Sequence, residues 1–247
     1  WVDNDRLDHG RTQGAMEAAG LVATKQIWQP TAVVDMTDGW DTYFASRTSK
    51  HRGNQRRYEK RVAKLGSVEH IRYRPTGSVH GDDDPRWDLY EACLRVARRG
   101  WQSNASNGTT ISHGSVQDFV RETYALAVKN GMADLNLLQV DGTPAAFSYN
   151  YVHNGNVTGL RLGFDAELSH AGAGNVMYHR MLRDSFERGD RVFDLGVGSL
   201  DAKRVWQTAL VNSYRFTHYP AACPRSQLLR LKHWWNRRKA TGEHLAS

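Results

Sequence analysis

The segment that most constrains this chain is residues 157–180, VTGLRLGFDAELSHAGAGNVMYHR. Residues 157–164 are rich in β-branched and aliphatic side chains and read as a strand, with Gly163 near its end. The turn that follows, Ser169-His170-Ala171-Gly172-Ala173-Gly174, consists mostly of small residues. Beyond it Tyr178, Met181, Leu182, Ser185 and Phe186 recur at helical spacing, which predicts an amphipathic helix. A helix entered through such a turn exposes backbone N–H groups that have no intrahelical partner, with the positive end of the helix dipole behind them. Those donors can hold a phosphate or pyrophosphate. Glycines before a helix also serve as a plain turn, and the segment alone leaves both readings open.

The flanking sequence surrounds this unit with strands. Downstream, RVFDLGVGSLDAKRVWQ reads as a short buried strand ending at Asp194 and Gly196, followed by Gly198, Lys203 and Trp206. Upstream, three strand-like runs are joined by the hairpin signals Asp141-Gly142 and Asn154-Gly155. Periodicity predicts strands at about 26–36, 67–74, 132–140, 144–153, 156–164, 191–196 and 211–219. Helices are predicted at about 38–45, 48–64, 86–99, 116–130, 174–188 and 201–207. Asp84 and Pro85 read as the N-cap and first turn of the 86–99 helix, and Ser115 with Asp118 as a capping box for the 116–130 helix. The polar loop 100–114 is too long for a plain connector. This order predicts an α/β fold: an α+β mixed sheet, mostly antiparallel, flanked by helices.

Five landmarks occur together: the basic run from Ser49-Lys50-His51-Arg52 to Arg61, Trp101, DGTPAAF, GFDAELSHAGAGNVMYHRML and FDLGVGSLDAKRVW. As a set they resemble the GNAT superfamily of acyltransferases, and more closely its bacterial cellulose-biosynthesis-type acetyltransferase branch, related in fold to the Fem-type transferases. The resemblance covers about residues 33–220. The superfamily's pyrophosphate loop reads Gln or Arg, two residues, Gly, one residue, Gly or Ala. Here Gly172 and Gly174 match, and Ser169 stands in the Gln/Arg position.

The resemblance implies an acyl-CoA-dependent N-acyltransferase, in which an amine attacks the thioester directly within a ternary complex. It implies a pyrophosphate cradle of Ser169 and the amides of Ala171, Gly172, Ala173, Gly174, Asn175 and Val176. A main-chain N–H around Leu162 or Gly163 would serve as oxyanion donor. Asp194 would be the base, and it reads equally as a strand-end carboxylate bonded to loop amides. Lys203 would hold an acidic group of the substrate, with Trp206 packed beneath it or simply in the core. Trp101, Ser112 and His113 would line the acceptor pocket.

Charge bears on partners. Thirty-three Lys and Arg against 26 Asp and Glu leave a net +7. The excess gathers in residues 50–64, where Tyr58, Val62 and Leu65 give a helix an apolar face, and in the tail 225–239, with Leu228, Leu229, Leu231, Trp234 and Trp235. Both read either as solvated basic faces or as surfaces for a polyanion: coenzyme A, an acyl carrier protein donor, or transfer RNA. The acceptor would be a small-molecule, saccharide or peptide amine. A Fem-type transferase using aminoacyl-tRNA, and a non-enzymatic nucleic-acid-binding module, are the alternatives.

Eleven scattered histidines show no metal-ligand spacing, so no metal is expected. Two cysteines are too few for a disulfide framework and fit a reducing cytoplasm. Cys93, in a helical pattern with Trp87, Tyr90, Leu94 and Ala97, reads as a core residue. No apolar run approaches the ~20 residues of a membrane span. The expected organisation is residues 1–45 as the remnant of an upstream GNAT-like domain with a linker, 46–222 as the acyltransferase domain, and 223–247 as a basic amphipathic tail.

Overall fold

The computed structural model describes residues 3–100 and 110–243. In chain order they form α1 (Arg11–Ala18), β1 (Thr24–Asp35), α2 (Trp40–Ser46), α3 (Ser49–Ala63), β2 (Val68–Tyr73), α4 (Trp87–Arg99), α5 (Gln117–Lys129) and β3 (Ala133–Val140). Then follow β4 (Thr143–His153), β5 (Asn156–Phe164), α6 (Ala173–Glu187), β6 (Val192–Asp194), α7 (Leu200–Lys203), β7 (Ala209–Thr217) and α8 (Pro224–Glu243). The strands make one seven-stranded sheet in the order β2-β3-β4-β5-β6-β1-β7. Both predicted hairpin turns have positive φ at both central residues, 48° and 71° at Asp141-Gly142 and the same at Asn154-Gly155. That conformation suits the right-handed twist of paired strands, so β3, β4 and β5 run antiparallel. The chain then crosses through α6 and β6 returns parallel to β5, while β1 pairs antiparallel with β6. The sheet is thus mixed and mostly antiparallel.

Two compact units are distinguished: residues 31–210, and the segments up to Pro30 together with those from Val211 onward. In the second unit, Ser213 donates to the Gln29 carbonyl at 2.7 Å and Arg215 lies 3.5 Å over the Trp28 ring. Leu228, Leu229, Leu231, Trp234 and Trp235 of α8 are exposed. Among the described residues no helix is long and apolar enough to cross a membrane.

Within residues 31–210 the two-residue period of the strands divides the core between the sheet's faces. Leu135, Leu137, Phe147 and Tyr149 pack with α4 and α5, where Cys93 is fully buried and its thiol is pushed up by burial. Leu138, Val140, Ala146 and Val157 pack with Val176, Met177, Met181 and Leu182 of α6 and with Tyr43 and Val62. Helices on both faces explain why β3 and β4 are buried nearly throughout.

Under α6 the sheet carries a buried polar stripe. Asp134, fully buried, accepts two bonds from Arg72 at 2.8 and 2.7 Å, one from Arg74 at 3.3 Å, and one each from Asn136 and Asn150 at 3.1 Å. Arg74 forks onto Asp190 at 2.8 and 2.9 Å. Arg72 also reaches Asp184 at 2.8 Å and the Met181 carbonyl at 3.1 Å, tying α6 to β2. Burial opposes the charge of Asp134, but the Arg72 guanidinium outweighs it and holds the carboxyl below its ordinary range.

Three helix boundaries differ from expectation. Arg86, at φ 43°, is the N-cap of α4, and Asp84 accepts its N–H at 3.0 Å instead of capping the helix itself. Val116 caps α5 without a side-chain bond, because the Ser115 hydroxyl engages His113 Nδ1 at 2.7 Å and no capping box forms. The helix expected at 201–207 is the single turn α7, capped by Ser199. Leu65, expected on the apolar face of α3, lies past its end and is exposed.

Acid should destabilise the protein over two successive pH windows. Burial, with the charges of Arg47 and His179, pushes His51 from 6.5 down to about 4. Between those values the unfolded chain binds a proton that the folded one refuses, so stability falls as pH drops through this window. Burial works against ionisation of Glu59, but hydrogen bonds from His179 and Arg180 outweigh it and hold the carboxyl at about 2. Its contribution is complete above 4.5 and is lost as pH falls toward 2. The melting temperature is expected to decline first between pH 6.5 and 4 and to do so less in His51→Gln. A flat profile there would contradict a neutral buried His51.

Candidate active site

β5 and β6 stay together for three residue pairs only: Asn156 with Val192, Val157 with Phe193, and Thr158 with Asp194. Gly159 and Gly196 mark where they part. A Cβ on Gly196, at φ +75°, would lie 2.2 Å from the Gly159 carbonyl oxygen, so only glycine allows this crossing. Beyond it, Leu160 to Phe164 keep β4 on one side and, among the described residues, pair with no strand on the other, up to the antiparallel bridge between Gly100 and Asp165. The register steps from Asn150 opposite Gly159 to Tyr149 opposite Arg161, which leaves Leu160 as the extra residue of a bulge. An open, bulged strand edge offers main-chain groups to an extended ligand. Leu162 and Gly163 lie on this stretch, and a Cβ on Gly163 would fall 2.5 Å from the Phe147 ring.

The strand leads through a short 3-10 turn into α6. Asp165, buried, accepts the Glu167 N–H at 3.1 Å and pairs with Arg99 at 3.1 Å. The Ser169 N–H returns to the Ala166 carbonyl at 3.2 Å. Most donors expected of the cradle are engaged within the turn itself. Ala171 bonds the Leu168 carbonyl at 3.2 Å, and Gly172 bonds those of Leu168 and Ser169 at 3.2 and 3.1 Å. Asn175 and Val176 bond the Gly172 carbonyl at 2.9 and 3.1 Å. Among the described residues the N–H groups of His170, Ala173 and Gly174 have no acceptor. The open donors therefore cluster at the first turn of α6, where Gly174 is partly exposed and Ala173 buried.

Gly172 is the N-cap at φ +87°, and a Cβ there would sit 2.3 Å from the Tyr58 ring of α3. A Cβ on Gly174 would sit 2.8 Å from the Phe164 ring. Gly172→Ala should lose about 1–3 kcal/mol, from left-handed strain and the displaced Tyr58. Denaturant titration checks this, and an unchanged midpoint would mean that α3 and the turn separate without penalty.

The two residues singled out for chemistry meet at Gly196. Asp194 Oδ1 accepts the Gly196 N–H at 2.8 Å, while Lys203 Nζ donates to the carbonyls of Gly196 and Val197 at 2.6 and 2.8 Å. Lys203 is buried, which pushes its ammonium down to about 8 against the opposing charge of Asp194. Tyr178 is pushed up to about 12 by burial, with Asp194 adding to the shift. Trp206 is buried, stacked on Tyr178 at 5.7 Å and edge-on to His51 at 4.5 Å; its carbonyl accepts the Tyr43 hydroxyl at 2.5 Å. It is a packing residue here.

Among the described residues His51 Nε2, edge-on to Trp206, and Gln55 Oε1, one turn further along α3, are buried without hydrogen-bond partners. Sequence reading took His51 only as part of a basic run and passed over Gln55, although His51, Gln55, Tyr58 and Val62 recur on one face of α3 at four-, three- and four-residue spacing. Ser112 and His113 lie on the α4–α5 side, where Ile111 is in the core, and bond locally to Thr110 and Ser115. Trp101 falls outside the described residues.

A family model described as an acetyltransferase (GNAT) domain matches residues 49–204. Among solved structures, L-PGS from Bacillus licheniformis is similar in fold at TM-score 0.58 and 15% identity, covering 90% of this chain and 69% of that one. A C-terminal domain ascribed to a lysylphosphatidylglycerol synthetase of Agrobacterium fabrum gives 0.57 and 16%, covering 89% and 68%. FemX gives 0.55 and 12%, covering 85% and 69%. No curated protein matches the sequence significantly.

Proposed function

The chain belongs to the acetyltransferase (GNAT) domain family, and on that premise we propose that it is an acyl-CoA-dependent N-acyltransferase. The observation that carries this reading is the coincidence, at one end of β5, of an open bulged edge and the unengaged donors of α6. The pantetheine arm of coenzyme A lies along β5 from Leu160 to Gly163, and the coenzyme's pyrophosphate meets the N–H groups of Ala173 and Gly174. The thioester oxygen takes a main-chain N–H around Leu162 or Gly163. Asp194, at the end of β6, removes the proton of the attacking ammonium. Lys203 is a positioning residue: its clamp on Gly196 and Val197 fixes the turn that also binds Asp194. The acceptor is an amine on a small molecule, saccharide or peptide, and the acyl group is carried by coenzyme A or an acyl carrier protein. Within the family, the landmarks around the turn and Lys203 favour the cellulose-biosynthesis-type branch.

A Fem-type reaction with aminoacyl-tRNA is the second reading. It is favoured by fold similarity to FemX across 85% of the chain and by the basic helix α3. Thermal shift separates the two readings: coenzyme A should raise the melting temperature saturably, and Gly174→Val should abolish the rise. Stabilisation by charged tRNA but not by coenzyme A would favour the second.

A further inference from the structure

Arg161 sits on β5 immediately after the bulge and is partly buried. Its Nη1 donates to the Leu160 carbonyl at 2.8 Å, while its Nε is buried without a partner. Among the described residues no carboxylate pairs with it, whereas the buried Arg72 and Arg74 each meet at least two. Burial alone acts on its charge, with no compensating anion. A guanidinium does not shed its proton to escape that penalty, so an unpaired one beside an open strand edge is a standing demand for an anion.

Register places it. Arg161 lies opposite Tyr149, and Tyr149 and Phe147 pack in the α4–α5 core, so Arg161 leaves the sheet on that face. Phe164, opposite Ala146, faces the other way and touches Gly174 at the start of α6. The same open stretch of β5 therefore carries anion donors on one face and an unsatisfied cation on the other. With Nη1 spent on Leu160, the Nε–Nη2 edge remains, and its two parallel N–H bonds match a carboxylate or phosphate.

We propose that Arg161 binds an oxyanion of the acceptor, so that the acceptor is an amine bearing a carboxylate or a phosphate, held on the face of β5 opposite the donor's pyrophosphate. This rests on the acyltransferase reading above. The Ser112–His113 segment shares that face, whereas Lys203 is committed to two backbone carbonyls near Asp194.

The test is calorimetric titration of the full chain, in the presence of coenzyme A, with β-alanine, O-phosphoethanolamine and ethanolamine. At least one of the two anion-bearing amines should bind, with ethanolamine weaker by about tenfold or more. The tighter of the first two identifies the oxyanion as carboxylate or phosphate. Arg161→Met should weaken that binding roughly 10- to 100-fold, leave coenzyme A affinity unchanged and melt no lower than the parent. Arg161→Lys, which keeps the charge without the fork, should fall between them. Unchanged probe affinity in Arg161→Met, equal binding of all three amines, or binding of neither anion-bearing amine would overturn the assignment. So would a large drop in melting temperature, which would make the guanidinium structural. Failure of the parent protein to bind coenzyme A would instead sink the acyltransferase reading itself.

Discussion

Asp134→Ala is expected to destabilise the protein by about 3–5 kcal/mol, the usual loss when one partner of a buried ion network is removed. The carboxylate is fully buried and receives Arg72, Arg74, Asn136 and Asn150. Without it Arg72, itself only 2% exposed, loses its two-pronged contact and keeps Asp184 at 2.8 Å, the Met181 carbonyl at 3.1 Å and Asp190 at the longer distance of 3.8 Å. Arg74 retains Asp190 and loses less. Replacing Arg72 and Asp134 together with apolar residues should recover much of the loss, because the destabilisation comes from a buried guanidinium left under-compensated. Denaturant midpoints of the single and double variants decide this. A single-variant loss below about 1 kcal/mol would mean that water replaces Asp134 easily and that the stripe does not hold α6 to the sheet.

Asp194→Asn is expected to cut acyl transfer by roughly 10²-fold or more, the scale of a general base, with coenzyme A affinity unchanged. The amide oxygen can still accept the Gly196 N–H, so the turn clamped by Lys203 should survive. The variant thus separates proton transfer from structure. Normal turnover with a much lower melting temperature would make Asp194 a cap for Gly196 and place the base elsewhere. Lys203→Met should lower stability and slow turnover together, since it releases Gly196 and Val197. Rescue of turnover by Lys203→Arg would argue that the clamp, more than the length of the side chain, matters.

Local chemistry explains what was legible in the sequence. Asp141-Gly142 and Asn154-Gly155 announce hairpins because few other pairs accept positive φ at both positions. The small-residue turn before α6 was visible for the same reason, and Gly172 does take a left-handed conformation. What the turn does with its own donors was not visible. The Gly172 carbonyl absorbs Asn175 and Val176, so the open N–H groups reduce to fewer than the residue pattern implied. Asp84 and Pro85 look like a helix start, yet Arg86 adopts φ 43° and delays it. The Arg72–Asp134 stripe reads in sequence as ordinary polar alternation on β2 and β3. Only the docking of α6 buries it, and that is a long-range event no local pattern encodes. Lys203 was singled out in the sequence, but its clamp was not legible, nor was the unpaired state of Arg161, because both involve backbone carbonyls rather than a recognisable residue pair.

Amide hydrogen exchange with and without coenzyme A tests the central claim most directly, because it reads the N–H groups on which the donor site is built. In the free protein Gly174, partly exposed and without an acceptor, should exchange rapidly. Saturating coenzyme A should slow Gly174 and Ala173, together with the edge amides of β5 from Leu160 to Gly163, while the internally bonded Asn175 and Val176 change little. Binding of coenzyme A that leaves Gly174 and the β5 edge unprotected, or no binding at all, would contradict the account.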